Sequence, residues 1–271
     1  MDTRPQAALR QLGGVLRAGL LLWCSAGTTQ AAPACNKPVY LTLDTGHMEV
    51  APQMAEVLQR HQVRVTFFAA DEPTRTGDGS LGTHWAPWWR ARAAEGHAFA
   101  SHTLDHVYWR ADLPDGRLQV RPSAGAQAGQ TQAWQSAQYC AALDAASDRL
   151  RQRTGVAPLP LFRAPGGKTS ARLLDVARSC GYAHVGWAQA GFLGDELPSE
   201  RFSNARLLSD ALRDIRPGDI LMAHLGIWSR KDPWAPAVLE PLITGLQAKG
   251  FCFETLRTHP DYQVWLAAHT Q

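Results

Sequence analysis

The stretch VYLTLDTG, residues 39–46, is an apolar run that ends abruptly in Asp44, Thr45 and Gly46. A run of aliphatic and β-branched residues closed by a polar turn predicts a β-strand over residues 39–44. In residues 48–60, apolar side chains recur at helical spacing, which predicts an amphipathic helix. The chain therefore begins its folded part as strand, polar turn and helix.

The same alternation continues to the end of the chain. It predicts an α/β protein of one domain, with βα units around a largely parallel sheet. An irregular (β/α) barrel of about seven strands fits better than an open doubly wound sheet, because no Gly-rich phosphate loop follows the first strand. Residues 112–129, rich in Pro, Gly and Gln, predict an exposed loop. Further strands are predicted at 63–69, 98–101, 159–163, 183–188, 219–224 and 251–256, and helices at 84–95, 131–153, 169–180, 203–215 and 236–249.

Composition excludes several classes of protein. The 271 residues are 45% hydrophobic and 19% charged, which is enough apolar material for a sizeable core and excludes a mainly disordered chain. The net charge of +3 is spread without a basic run, so no nucleic-acid partner is expected. The longest apolar stretch, residues 18–27, is about half of the roughly 20 residues that cross a bilayer. We expect no membrane span in the mature chain.

The first residues have the layout of a secretory signal peptide. Arg4, Arg10 and Arg17 precede the apolar stretch, and small residues follow it. We therefore expect a signal peptide over residues 1–31, a mature domain over residues 32–271, and a periplasmic or secreted location. An uncleaved amphipathic start is the alternative.

Four cysteines remain after removal of the signal peptide, namely Cys35, Cys140, Cys180 and Cys252. An even number in an exported chain favours two disulfides. Of the three possible connectivities we favour Cys35 with Cys252, which ties the start of the domain to its last strand, and Cys140 with Cys180. Buried free thiols are the alternative.

Several predicted strands end in polar side chains. These are Asp44, His102 followed by His106, Arg163, and His224. In a parallel βα barrel the carboxyl ends of the strands converge on one mouth, so we expect these groups to meet there. The spacing of His102 and His106 places two imidazoles on one face of a helical turn, close enough to share a divalent cation. The alternative is that the two rings pack against neighbouring aromatic side chains.

Four short motifs occur in a fixed order. They are TLDTG at 42–46, SHTLDH at 101–106, RAPGG at 163–167 and ILMAH at 220–224, and GFCFETL follows at 250–256. This set resembles the polysaccharide deacetylase family, the NodB-type domains of carbohydrate esterase family 4, over residues 38–256. The resemblance implies a carbohydrate N-deacetylase, a hydrolase of carbon–nitrogen bonds other than peptide bonds. Its expected partner is an N-acetylated polysaccharide, from which it removes N-acetyl groups.

The resemblance also implies catalytic roles for individual residues. Asp44 matches the general base that takes a proton from the attacking water, and His224 matches the general acid that protonates the leaving amine. Arg163 matches the arginine that orients the base. The backbone N–H of Gly166 matches the donor to the oxyanion, a role that survives loss of the family's usual aromatic side chain at this position.

The cofactor implied by the resemblance is a divalent metal, usually zinc, bound by His102 and His106. The family's first motif usually has a second Asp as the third ligand, and this sequence has Thr45 in its place. The site therefore lacks one charged ligand. Candidate replacements, among which the sequence does not choose, are Asp44, His47 and Glu49.

Other features leave alternatives open. The fourth motif lacks the carboxylate that usually pairs with the arginine, so Asp195 or Glu196 would have to substitute for it. Trp228 and Trp234 are candidates for a platform on which a sugar ring stacks. Two further functions stay open. One is that of a deacetylase-like module that has lost catalysis and only binds glycan. The other is that of a related amide or ester hydrolase with a smaller substrate.

Overall fold

A computed structural model describes residues 35–270, together with Met1 and Thr3. Apart from those two residues, the predicted signal peptide at 1–31 lies outside the described residues, and its cleavage stays a prediction. No helix among the residues described has both the length and the apolar character needed to cross a membrane.

The described chain alternates strands and helices, as the sequence predicts, and adds a strand-rich insertion between β3 and α3. The strands are β1 (Pro38–Asp44), β2 (Thr66–Ala69), β3 (Ala98–Ser101), β4 (Val107–Asp112), β5 (Leu118–Pro122), β6 (Gln132–Trp134), β7 (Leu161–Phe162), β8 (Ala183–His184), β9 (Ile220–His224) and β10 (Cys252–Phe253). The α-helices are α1 (Ala51–Arg60), α2 (Ala86–Ala94), α3 (Ser136–Thr154), α4 (Ala171–Ser179), α5 (Asn204–Asp214), α6 (Glu240–Ala248) and α7 (Pro260–His269).

A parallel sheet of seven strands forms the centre of the fold. Its order is β10-β1-β2-β3-β7-β8, and β9 pairs with β1. The segment after β8 returns to β9, because Ala188 donates its N–H to Ile220 O (3.0 Å) and Leu193 donates to Met222 O (3.2 Å). The predicted α/β fold with a mostly parallel sheet is therefore confirmed, and the β8 end of the sheet is linked back to β9.

Burial explains why the central strands are nearly continuous apolar runs. Every residue of β1 after Pro38 is buried, as are all four residues of β2 and of β3. A strand covered on both faces has no solvent side on which to alternate polar residues. Only the strand ends are free to carry polar groups, and this places the functional side chains there.

The predicted exposed loop over residues 112–129 is wrong. This region contributes to an antiparallel sheet of the strands β4, β5 and β6. Leu118, Val120 and Pro122 are buried and alternate with more exposed residues, which is the period of a strand with one face on the core. The Pro and Gly content concealed this short alternation. The helix predicted from residue 131 begins only at Ser136, because residues 132–134 form β6.

The end of the chain also differs from the prediction. The predicted last strand at 251–256 is reduced to the two residues of β10, and a helix not predicted from the sequence, α7, follows it. His259 caps this helix, since its side chain accepts a hydrogen bond from the N–H of Asp261.

Both favoured cysteine pairs are present as disulfides. Cys35 is joined to Cys252 across 217 residues, and Cys140 is joined to Cys180 across 40 residues. The first bridge ties the residues before β1 to β10, and the second joins α3 to the end of α4.

Replacing both cysteines of the Cys35–Cys252 pair by serine should lower the free energy of unfolding by about 2–4 kcal/mol, because the cross-link restricts the unfolded chain. Urea unfolding under non-reducing conditions measures this change, with the parent protein in reductant as the control. Non-reducing peptide mapping should recover both pairs. Four free thiols in the purified protein would contradict the pairing.

Candidate active site

A buried ion pair joins the ends of β1 and β7. Arg163 Nη1 donates to Asp44 Oδ1 (2.6 Å) and to Thr42 Oγ1 (2.8 Å), and the Arg163 side chain is fully buried. The guanidinium also donates to the carbonyl oxygens of Val185 (3.3 Å) and Gly186 (3.2 Å). The arginine is thus held by four acceptors and fixes the orientation of the Asp44 carboxylate.

A second pair holds His224 at the end of β9. Its Nδ1 lies 3.1 Å from each carboxylate oxygen of Asp195, and its backbone N–H donates to Asp195 Oδ2 (2.7 Å). Asp195 is only 4% exposed. The expectation that Asp195 or Glu196 would pair with the arginine is therefore wrong, because Asp195 serves the histidine while backbone carbonyls complete the arginine's contacts.

The two pairs shift the pKa values of their members in opposite directions. Burial by itself would raise the pKa of Asp44, but the charges of Arg163, His102 and His224 hold it below its ordinary value. Burial by itself would lower the pKa of His224, but the Asp195 carboxylate outweighs this effect and raises the pKa to about 9. At neutral pH Asp44 is therefore ionised and His224 is protonated. Because Asp44 and His224 are partners in the parallel register of β1 and β9, the two groups leave the sheet side by side.

His102 and His106 lie together after β3, with ring centroids 4.8 Å apart. The predicted helical turn is wrong, because Thr103 (φ 58°) and His106 (φ 48°) are left-handed and the side chain of Thr103 accepts a hydrogen bond from Val107 N–H (2.7 Å). His102 Nδ1 bonds to Arg163 O (2.9 Å) and His106 Nδ1 to Ser123 Oγ (2.6 Å). These bonds occupy both Nδ1 atoms and leave Nε2 of each ring as the nitrogen available to a cation.

Thr45 does not fit the role of a metal ligand. Its Oγ1 accepts the N–H of Ala70 at the end of β2 (3.0 Å). Within the described residues, no three His, Cys, Asp or Glu side chains form a complete metal-binding group. What the chain does offer a divalent cation is two neutral imidazoles, since burial lowers the pKa of both, for His102 to about 4. Two nitrogen donors at one end of a cavity suit zinc, which then needs a third ligand from the protein.

Two of the candidate replacement ligands point elsewhere. His47 Nδ1 accepts the backbone N–H of Glu49 (3.2 Å), and its ring packs edge-on against Trp228. Glu49 is half-exposed and pairs with Arg75 (2.6 Å). Both line a neighbouring cavity rather than the one that contains the histidine pair. The third candidate, Asp44, places Oδ2 at 3.6 Å from His102 Nε2.

One cavity of about 460 Å³ brings the predicted residues together. It is lined by Asp44, His102, His106, Gly166, His224 and Trp228, among others, and a carboxylate that the sequence did not single out, Glu72, lines it too. Arg163 lies behind Asp44. Four predicted residues line the neighbouring cavity instead, namely His47, Glu49, Asp195 and Trp234. Of these, Trp234 is buried, with 4% of its surface exposed.

Two aromatic side chains shape the mouth. Trp228 is 58% exposed beside the cavity, with the Arg75 guanidinium 4.8 Å from its ring centroid. The ring of Tyr108 occupies the space that a side chain at Gly166 would need, because a Cβ there would lie 2.7 Å from a Tyr108 ring carbon. Gly166 also has φ 70°, a left-handed conformation that favours glycine. The nearby Tyr108 ring and the backbone conformation therefore both favour glycine at this position.

A family model described as "Polysaccharide deacetylase" matches residues 31–185. The chain belongs to the polysaccharide deacetylase family. The resemblance inferred from the motifs is thereby confirmed, and so is the predicted enzyme class, carbohydrate N-deacetylase, at the level of the family. A chitooligosaccharide deacetylase of Azorhizobium caulinodans is 27% identical over 230 residues, which are 80% of this chain and 92% of that protein.

Solved structures of the family share the fold. A family 4 acetyl xylan esterase from Clostridium thermocellum, in complex with a cobalt ion, has a TM-score of 0.62 at 18% identity over 84% of this chain and 91% of its own. A protein described as a family 4 pseudoenzyme from Bacillus anthracis has a TM-score of 0.59 at 18% identity over 82% of this chain and 65% of its own. At such identities the likeness establishes the fold alone.

Sequence reasoning missed two contributors to this site. Glu72 follows β2 by three residues, within the run AADEP, and its position after a predicted strand was the available signal. Tyr108 belongs to β4, in the region whose strands were not recognised, and no local pattern pointed to it.

The pKa of His224 should depend on Asp195. In metal-free parent protein an NMR titration of the His224 ring should have its midpoint near pH 9, and in Asp195→Asn the midpoint should fall below 6.5, because burial is then opposed only by weaker charges. Since the folded pKa exceeds the unfolded value of about 6.5, the pair stabilises the protein below that pH and loses its effect as the pH rises through about 9.

Glu196→Gln is the control for this titration, because Glu196 contributes less to the shift than Asp195 does. The assignment of the His224 resonance comes from His224→Gln. A midpoint that is the same in Asp195→Asn and the parent would show that the pair does not control the protonation of His224.

Proposed function

We propose that the protein is an exported, divalent-metal-dependent hydrolase that removes N-acetyl groups from an N-acetylated polysaccharide. The observation that carries the proposal is the pairing of an ionised carboxylate with a protonated imidazole on neighbouring strands, each held by its own partner, above a shared cavity. Two titratable groups whose environments separate their pKa values in this way are suited to act as base and acid in one reaction.

Amide hydrolysis needs both groups. Asp44 accepts a proton from a water molecule as the water oxygen forms a bond to the acetyl carbon, and Arg163 keeps the carboxylate oriented while it does so. The carbonyl oxygen gains negative charge, which the N–H of Gly166 is suited to stabilise. His224 Nε2 then donates its proton to the nitrogen as the carbon–nitrogen bond breaks. The products are acetate and a free amine on the sugar.

His102 and His106 are the residues that would hold the metal. When bound, a divalent cation polarises the acetyl carbonyl and lowers the pKa of water. Two neutral imidazoles suit zinc, and they also suit other divalent transition-metal ions. The Arg163 carbonyl and the Ser123 hydroxyl fix the two rings with both Nε2 atoms available.

An extended sugar chain suits the mouth of the cavity. Trp228 offers an exposed indole face, and pyranose rings stack on such surfaces. The chitooligosaccharide deacetylase named above is consistent with an N-acetylated glycan as the substrate.

Export is supported by two features of the chain. Residues 1–31 have the pattern of a signal peptide, and two disulfides persist mainly in oxidising compartments. We therefore place the mature protein in the periplasm or outside the cell.

A second candidate is a module that binds glycan without hydrolysing it. The observation that favours it is Thr45, which gives the site no carboxylate at the position where the family's third ligand is expected. The retained base, acid and arginine count against it, because binding alone needs none of them.

With zinc present, the purified mature protein should release acetate from N-acetylated chitooligosaccharides or peptidoglycan fragments. His106→Ala should lose both bound zinc and acetate release, because one of the two imidazole ligands is gone. His269→Ala, which changes an exposed histidine on α7, is the matched control and should behave as the parent does. Glycan binding by the parent without acetate release from any of these substrates would favour the second candidate.

Replacing the proposed acid tests the proton-transfer step. His224→Ala should lower kcat by about 10²- to 10⁴-fold, the usual contribution of a positioned acid or base, while the zinc content stays that of the parent. Acetate release and metal analysis of the same preparation measure both quantities. A loss smaller than tenfold would remove His224 from the mechanism.

A further inference from the structure

We propose that Glu72 provides the carboxylate ligand that Thr45 cannot, so that the metal is bound by His102, His106 and Glu72. These three side chains do not stand as a complete metal-binding group, so the Glu72 carboxylate would have to turn toward the two rings as the cation binds. The inference rests on the metal dependence proposed above and goes beyond it by naming the third protein ligand. No family motif contains Glu72; the assignment comes from four observations on this chain.

The first observation is position. β2 pairs with β1 in parallel register, with Phe68 beside Asp44, and Thr45 donates its N–H to Phe68 O (3.0 Å). The segment that leaves β2 therefore runs next to the first motif, and Glu72 lines the same cavity as His102 and His106. A carboxylate from this segment enters the site from the strand adjacent to the usual one.

The second observation is an unpaired oxygen. Glu72 Oε2 is buried and has no hydrogen-bond partner among the described residues. Four other buried side-chain atoms in that part of the chain share this condition, but they belong to Trp88, Tyr139, His184 and Trp234, whose side chains are neutral there. An ionised carboxylate oxygen withdrawn from water without a partner is costly unless a cation is bound beside it.

The third observation is that the backbone of this segment is fixed. Glu72 N–H donates to Ser80 Oγ (2.9 Å), and Ser80 N–H donates back to Glu72 O (2.9 Å). The neighbouring carboxylate, Asp71, is already committed to Leu81 N–H (2.9 Å) and to Arg149 (3.2 Å). The loop thus holds the main chain of Glu72 in place and leaves its carboxylate uncommitted.

The fourth observation is that Asp44, the remaining candidate from the sequence, is already committed. Its carboxylate is bound to Arg163, and the proposed mechanism needs it as the base. Two imidazoles and one carboxylate are a ligand set that catalytic zinc sites use.

The test is a zinc titration of metal-free protein in competition with a chromophoric chelator, with no substrate present. Glu72→Gln should weaken zinc binding by about tenfold or more, because it removes the charged ligand while keeping the shape of the side chain. Glu196→Gln, which changes another carboxylate of the same cavity, is the matched control and should change the affinity less than threefold. Urea unfolding of each variant checks that the fold is intact.

A rescue variant makes the assignment sharper. In Glu72→Gln combined with Thr45→Asp, a carboxylate returns from β1, and zinc affinity should recover toward that of the parent. In Thr45→Asp alone the site already has its carboxylate from Glu72, so the gain in affinity should be smaller than in the Glu72→Gln background.

The outcomes separate this inference from the proposed function. If His106→Ala loses zinc but Glu72→Gln binds it as tightly as the parent, Glu72 is not a ligand and the histidine site stands. If the parent itself binds no zinc or other divalent ion, the metal dependence and the role of Glu72 are both overturned.

Discussion

The guanidinium of Arg163 is the constraint on which the rest of the site depends. A fully buried charge needs both a counter-ion and further hydrogen bonds, and this one takes them from three places at the sheet's carboxyl edge, namely Asp44 and Thr42 on β1 and the backbone after β8. Removing one partner of such a pair costs about 3–5 kcal/mol, because the other charge is left buried and alone. Replacing Asp44 would therefore destabilise the fold, in addition to any effect on the chemistry. The carbonyl of Arg163 extends the same constraint to His102, whose Nδ1 it fixes.

Where the chain departs from the family motifs, a neighbouring segment compensates for the missing side chain. Where a side chain is missing at Gly166, the ring of Tyr108 from β4 fills the space. Thr45 gives up the charge of a carboxylate but bonds to Ala70, which precedes Glu72 by two residues. With Glu72 as the proposed ligand, these substitutions change which segment supplies a side chain to the site. The set of side-chain types in the site stays similar.

The sequence predicted the central sheet well, because long apolar strands that end in polar residues leave a strong pattern. Asp44, His102, His106 and His224 were expected at one mouth, and the structure places them around one cavity. Asp195 was expected to pair with Arg163 and pairs with His224 instead, since this pairing depends on where the chain after β8 returns, and no local pattern encodes that path. The strand β5 was missed because Pro and Gly around it outweighed a short alternation, and β4 and β6, which pair with it, were missed as well. Left-handed turns such as that at His106 are likewise invisible to an argument from helical spacing.

The carboxyl ends of adjacent parallel strands are interchangeable sources of ligands, and the proposed assignment of Glu72 depends on this property. What a cation requires is negative charge and oxygen donors within reach, whichever strand supplies them. β1 and β2 end side by side, so a carboxylate that follows β2 reaches the cavity that a carboxylate after β1 would reach. The hydroxyl of Thr45 then has a structural role, because its hydrogen bond with Ala70 fixes the segment that carries Glu72. On this view the threonine and the glutamate form a matched pair. A carboxylate at position 45 would have to divide its two oxygens between the Ala70 N–H and a cation, whereas the threonine and the glutamate each have one of these tasks.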